Sequence, residues 1–317
     1  MSAPFDGKRY ANPEGAPPHG FADFLRWRFT SKPGLWPKSV ANPIVPKPPA
    51  RVEGDDLLIT YVGHVTILIQ TAGLNILTDP VWSERASPTT WAGPKRVRAP
   101  GIAIDDLPKI DLILVSHNHY DHLDVATLQK LVQRDQPRIV TALGNARIMK
   151  LAADEMATEM DWGDSLAVGN RARIIATPLQ HWSARSFSDH NEALWAGFVI
   201  DVPGGAVFFA GDTGLGSGWW IDPVRTAVSD LRMALLPIGA YAPRWFMQDA
   251  HMNPPEAVEA FQRLGARHAL ATHFGVFPLA DDAYDEPERE FLVARAAAHI
   301  PPELFRTLQP GESWRIA

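Results

Sequence analysis

The chain has 317 residues, 46% of them hydrophobic and 21% charged, with a formal net charge of −6 and no cysteine. That size and apolar content can build a sizeable core, while the negative balance excludes a general attraction to polyanions, so no nucleic-acid partner is expected. The missing thiols exclude disulfides, cysteine nucleophiles and thiolate metal sites.

The opening "MSAPFDGKRYANPEGAPPHG" lacks the apolar run of a secretory signal. No later stretch approaches the roughly 18 consecutive apolar residues of a membrane span, so a cytoplasmic protein is expected. Residues 1–50 are rich in Pro and Gly, from "NPEGAPPHG" to "NPIVPKPPA". They are expected to wrap over a core as a segment preceding one domain at 51–317. Within them, "FADFLRWRFT" sets Phe21, Phe24, Leu25 and Phe29 at helical spacing, with Asp23, Arg26 and Arg28 off that stripe, which predicts a short amphipathic helix. The stripe either docks on the protein's own domain or, helped by Trp27 and the two arginines, makes peripheral contact with the inner face of a membrane.

From residue 57 the pattern changes to short apolar strands punctuated by Gly, Asp and Pro. "LLITYVGHVTILIQTAGLNILTDP" reads as consecutive strands with a turn at Ala72-Gly73, "DLILVS" as a buried strand and "DVATLQKLVQR" as a helix. A local basic cluster, Lys95, Arg96 and Arg98, could meet anionic headgroups or simply face solvent. Further strands are predicted at "RIIATPL", "GFVIDV", "AVFFAGD" and "MALLPIG". "NPPEAVEAFQRLG" reads as a helix with Asn253 as its cap, Pro254 at its first position and Gly265 ending it. "HALATHF" reads as the last clear strand.

The chemistry concentrates in "SHNHYDHLD", which has three histidines and two aspartates in eight residues, 117–124. His117 and His119 are two apart, so in extended chain they share a face and can grip one cation. Asp121 and His122 follow once a turn has begun and can serve a second cation nearby. More ligands are needed than one loop provides. His181 in "ATPLQHWS", Asp212 in "VFFAGDTG" and His273 in "LATHFG" each end an apolar strand. Singly, such residues usually cap or hydrogen-bond; together, beside this motif, they read as ligands. His117, His119 and His181 then take one metal, Asp121, His122 and His273 the other, with Asp212 bridging. Each metal keeps a position open for solvent, as catalytic zinc sites do. Iron or manganese would also accept these donors, but three neutral imidazoles on one cation favour zinc, giving two Zn2+.

This ordered set resembles the metallo-β-lactamase superfamily, which implies an α+β fold, a four-layer αβ/βα sandwich with a dinuclear site at one edge of its sheets. His119 stands where the di-iron oxidoreductase branch has glutamate. The segments "LTDPVWSERASP", "GPKRVR", "QHW", "PIGAYAPRWFM" and "HMNPPEAV" further resemble the N-acyl-phosphatidylethanolamine-hydrolysing phospholipases D. That resemblance implies a phospholipid or small phosphodiester substrate, attack at phosphorus with cleavage on the headgroup side, and a homodimer. Asp121, Asp212 and His251 are the residues it implies for the reaction itself, with His251 near the substrate phosphate and Ala250 departing from the glutamine expected before it. Asp79 and His64 are expected to support the ligands from behind, and Tyr120, Trp182, Tyr241 and Arg244 to face substrate. A zinc lactonase or esterase, and a metal-binding protein without catalysis, are the alternative readings.

Overall fold

The computed structural model describes residues 2–14, 19–151 and 157–316. Helix α1 (Phe21–Thr30) precedes the sheets. The apolar run after it folds as an antiparallel meander, β1 (Leu57–Gly63), β2 (Thr66–Thr71) and β3 (Leu74–Thr78). Beyond β3, strands β4 (Leu112–Val115), β5 (Arg138–Ala142) and β6 (Ala157–Met160) add in parallel. Parallel pairing demands a crossover, and α2 (Val125–Asp135) makes the one between β4 and β5 while the short α3 (Ala146–Met149) lies between β5 and β6.

The second sheet repeats the plan. β7 (Ser165–Val168), β8 (Ala172–Thr177), β9 (Gly197–Asp201) and β10 (Ala206–Phe209) are antiparallel. β11 (Leu231–Pro237), β12 (His268–Thr272) and β13 (Phe305–Arg306) continue in parallel. Their crossovers carry α4 (Ile221–Ala227), α5 (Arg244–Met247), α6 (Pro254–Leu264) and α7 (Glu286–Ala297). The chain then returns to the first sheet, where β14 (Ser313–Ile316) pairs with β1.

Strand alternation sorts the side chains into layers. Ile67, Ile69, Leu112 and Leu114 join Phe198, Phe208 and Leu235 of the second sheet in one core. Leu68, Leu77, Ile113 and Val115 point the other way, onto Leu128 and Leu131 of α2. Each such fully buried side chain contributes about 1.5–3 kcal/mol. Phe291 of α7 packs on Phe305, 4.6 Å between ring centroids, and Phe261 of α6 on the same ring at 5.1 Å. The result is the αβ/βα sandwich of the expected α+β class. Helix α6 has the expected cap: Asn253 accepts from Glu256 N, and Glu256 returns a bond to Asn253 N.

Several elements differ from the sequence reading. Two short strands, β13 and β14, follow the last clear strand of the sequence, "HALATHF". Helix α7 carries no clean apolar stripe, because Leu292 and Val293 are exposed and Phe291 alone anchors its middle. Strands β6 and β7 carry few buried residues and leave little pattern, and β5 lies outside the sequence reading as well.

The described residues of the segment before residue 51 run over both halves of the sandwich, tied by hydrogen bonds. Tyr10 N donates to the Asn191 carbonyl at 2.9 Å, Val40 N to the Val97 carbonyl at 2.7 Å, and Trp36 Nε1 to the Asp282 carbonyl at 2.9 Å. Helix α1 docks differently from the predicted stripe. Trp27 stacks on Phe246 at 5.1 Å and donates to Asp281, while Phe29 is 85% exposed. The side chain of Phe21 lies outside what the structure describes. The basic cluster is also engaged: Arg96 donates to the carbonyls of Val81, Ser83 and Arg98, Arg98 to Gln309, and Lys95 pairs with Glu84 at 3.3 Å. No helix among the described residues is long and apolar enough to cross a membrane.

Deleting residues 2–50 removes several partly buried hydrogen bonds worth about 1 kcal/mol each and should lower the melting temperature by roughly 5–10 °C. A calorimetric scan of the truncated chain checks this, and an unchanged midpoint contradicts the tie.

Candidate metal centre

The chemistry-bearing residues gather at one rim of the sheets, where strands end. His117 to His122 follow β4, His181 follows β8, Asp212 follows β10 and His273 follows β12, while Asp79 ends β3 and His64 sits in the β1–β2 turn. All are nearly or fully buried except His119, which is partly exposed.

His117, His119 and His181 form one group. His117 Nε2 lies 2.8 Å from His119 Nδ1, and His181 Nε2 lies 3.3 Å from that same atom. Their other ring nitrogens set the tautomers. Ser116 Oγ gives its proton to Asp79 Oδ2 at 2.5 Å, so the 2.9 Å contact with His117 must run from His117 Nδ1–H to the hydroxyl oxygen. His181 Nδ1–H donates to the Ala250 carbonyl at 2.9 Å. Both Nε2 atoms therefore aim lone pairs at a common point. Donors held 2.0–2.1 Å from a tetrahedral zinc would stand about 3.3–3.4 Å apart; the His119–His181 spacing matches this and the His117–His119 spacing is shorter.

The second group is Asp121, His122, His273 and His64. Asp121 Oδ2 lies 2.9 Å from His64 Nε2, 3.2 Å from His273 Nε2 and 3.3 Å from His122 Nε2. His122 Nδ1–H donates to Asp79 Oδ2 at 2.6 Å, leaving Nε2 turned inward. Asp212 stands between the groups. Its Oδ2 is 3.0 Å from His122 Nε2 and from His273 Nε2, 4.0 Å from His181 Nε2 and 3.7 Å from His251 Nδ1. The other oxygen, Oδ1, is buried with no hydrogen-bond partner. A carboxylate that deep requires a cation or donors on both oxygens. With several imidazole lone pairs converging beside it, the residues present fit metal ions.

Burial pushes the ring pKa of His64, His119, His181 and His251 down to about 3, and that of His117 well below its ordinary value. Burial acts against protonation of His273 and His122 too, but Asp212 and Asp121 outweigh it, raising His273 to about 9 and His122 well above the usual range. Burial would raise the pKa of both aspartates, yet the facing His122 and its neighbours hold Asp121 and Asp212 well below ordinary carboxylates.

The remaining expected residues divide. Asp79 and His64 touch His122 and Asp121 as anticipated. His251 stands beside Asp212, its Nδ1 unpaired. Trp182 is edge-on to His119 at 4.3 Å and stacked on His190 at 4.9 Å. Tyr241 and Arg244 were expected at substrate, but Tyr241 is buried with its hydroxyl on Glu290, and Arg244 forks onto Glu256 and the His251 carbonyl. The Tyr120 hydroxyl donates to the Arg185 carbonyl. Supports that the sequence reading passed over include Ser116, the Ala250 carbonyl, and Asn12, whose side chain donates to the His181 carbonyl at 2.9 Å and accepts from its N–H at 3.3 Å. Asn12 sits in a Pro/Gly-rich segment with no neighbouring signal. Ser116 was findable as the residue that ends β4 directly before His117.

Residues 74–274 match the family model of the beta-lactamase superfamily domain. The chain is 36% identical over 272 residues to N-acyl-phosphatidylethanolamine-hydrolyzing phospholipase D 1 of Caenorhabditis elegans, covering 82% of this chain and 76% of that one. A metal-dependent hydrolase of Pyrobaculum neutrophilum is 29% identical over 261 residues, covering 81% of this chain and 99% of its own. Among solved structures, the metallo hydrolase Igni18 of Ignicoccus hospitalis KIN4/I superposes with a TM-score of 0.61 at 21% identity, over 83% of this chain and 99% of that chain. This last likeness concerns the fold.

Asp212→Ala should weaken metal binding by at least about tenfold, the scale on which even supporting residues act. Metal content measured after gel filtration checks this, and full occupancy in the variant would exclude Asp212 as a shared ligand. In metal-free protein the four histidines with folded pKa near 3 take up protons more readily when unfolded, so stability falls as pH drops below 6.5. His122 and His273, raised, are protonated in both states there and do not offset the loss. Melting temperatures of the metal-free chain should decline steadily from pH 6.5 to pH 4; a flat profile would contradict neutral buried imidazoles.

Proposed function

The chain belongs to the beta-lactamase superfamily as a metal-dependent hydrolase, and from that premise we propose a dinuclear zinc phosphodiesterase that cleaves N-acylphosphatidylethanolamine or a related phospholipid on the headgroup side. The observation that carries this is Asp212, one carboxylate shared by two adjoining donor groups. In this reading His117, His119 and His181 hold one zinc, Asp121, His122 and His273 the other, and Asp212 serves both. The kinship with a phospholipase D named for that lipid supplies the substrate class.

Two bound divalent cations would lower the pKa of a water toward 7 and offset the charge of a phosphodiester. The protein's own residues do the rest. Asp79 and Ser116 fix the rings of His122 and His117, and His64 steadies Asp121. His251, held neutral by burial, cannot bring positive charge at pH 7. It acts by donating a ring N–H to a phosphoryl oxygen next to Asp212. Trp182 walls the side of His119. A lipid must be met at a surface, and Leu25 and Phe29 of α1, with Phe187 nearby, present exposed apolar side chains beside Arg26 and Arg28.

The test is a panel of N-acyl phospholipids in mixed micelles, bis-aryl phosphates and lactones, run on protein of measured zinc content. Phosphatidate and N-acylethanolamine should appear from the lipid. Turnover of lactones with no phosphodiester cleavage would reject the proposal in favour of a lactonase. His251→Ala should keep its zinc and lose about 10²- to 10³-fold in kcat, the usual effect of removing one such donor; unchanged kcat would remove His251 from the reaction.

A further inference from the structure

The group formed by His117, His119 and His181 draws on two segments 62 residues apart at His119 and His181, so something must fix one against the other. Arg185 spans them. Its Nη1 donates to the Asn118 carbonyl at 3.0 Å and to the Leu123 carbonyl at 2.8 Å, the two peptide oxygens that bracket the His119–His122 turn. Its guanidinium carbon stands 3.9 Å from the centroid of the Tyr120 ring, and the Tyr120 hydroxyl returns a 2.9 Å bond to the Arg185 carbonyl. Behind it, Asp189 accepts from the backbone N–H of Arg185, at 3.1 and 3.2 Å, and of Ser186, at 2.8 Å. The turn and the His181 segment are thereby joined by side-chain and main-chain bonds running in both directions.

We infer that Arg185 is a positioning residue which, with Tyr120, latches the 117–123 turn to the His181 segment and so sets the convergence of the His117, His119 and His181 ring nitrogens. The inference rests on these three residues holding a metal, as proposed above. It explains a side chain that the proposed chemistry does not use. A planar fork that can stack on a ring while bonding two carbonyls is arginine's geometry; lysine offers a point charge on a flexible stem. A loosened latch would leave the sandwich intact while the donor atoms drift apart.

The experiment compares the full chain with Arg185→Gln, Arg185→Lys and Tyr120→Phe. Zinc affinity is measured by competition with a chromophoric chelator, geometry by the visible spectrum of the Co2+-loaded protein, and the fold by the melting temperature of the metal-free protein. Arg185→Gln should weaken zinc binding by about 10- to 100-fold and alter the Co2+ bands, with the metal-free midpoint lowered by no more than about 5 °C, the share of its two lost carbonyl bonds. Arg185→Lys and Tyr120→Phe should move the same way by less, and they decide the matter if Arg185→Gln does not fold. Unchanged affinity and spectrum would overturn the latch, as would a loss of affinity accompanied by a fall of more than about 10 °C in the metal-free midpoint, which marks general destabilisation. A wild-type chain that binds neither zinc nor cobalt would overturn the metal reading and this inference together, whereas a zinc-binding wild type with unaltered variants overturns the latch alone.

Discussion

A single buried carboxylate organises this molecule. Asp212 is 2% exposed, has one oxygen 3.0 Å from the inward nitrogens of both His122 and His273, and has no partner for the other. Removing such a group from water is costly unless charge and donors surround it, so the surrounding architecture must bring them from separate strands. Two sheets packed face to face do this. Strands β4 and β10 belong to different sheets yet end at the same rim, which sets the 117–122 turn opposite Asp212. Gly211 lets the chain pass: at φ +60° a Cβ there would lie 2.6 Å from that of Ser116, which itself supports Asp79 and His117.

The same rim stores backbone strain. His64, Asp79 and His273 all have positive φ, at 60°, 29° and 61°, which for non-glycine residues costs on the order of 1–3 kcal/mol each. Such conformations persist where neighbours over-determine them. His273 N donates to the His64 carbonyl at 2.9 Å, so two of the strained residues hold each other. Gly239 passes close to the same rim: a Cβ there would stand 2.1 Å from the His273 carbonyl oxygen. "PIGAY" is thus shaped in part by the backbone of His273, a residue of the candidate metal centre.

The site was more legible than its supports, for a physical reason. Ligand-type side chains at strand ends form a pattern along the chain, and His117, His119, Asp121, His122, His181, Asp212 and His273 stand out as such; the structure gathers all seven. The supports work through main-chain atoms and long-range contacts that leave no local mark. The Ala250 carbonyl could belong to any residue, and Arg185 resembles any loop arginine until its two carbonyl partners are known. The basic cluster stayed open to two readings because charge along a sequence says nothing of direction, and Arg96 turns inward to three carbonyls. Among the elements, α6 was readable from its Asn253 cap and buried stripe, whereas α7 offers only Pro287 and Phe291 to the core.

The N-terminal segment joins these two levels. Asn12 brackets the peptide of His181 from both sides, and Trp27 lies on Phe246 of α5, the helix that leads to His251, so the segment buttresses the candidate metal centre. The same segment exposes Leu25 and Phe29. One stretch of chain therefore props the site and carries the apolar surface proposed for lipid contact, and removing it whole disturbs both. The two roles separate at the level of side chains, since Asn12 and Trp27 face the protein while Phe29 faces solvent. Polar replacement at Leu25 and Phe29 leaves every hydrogen bond to His181 in place, so a change confined to vesicle binding would belong to the exposed face and a change in metal affinity to the buttress.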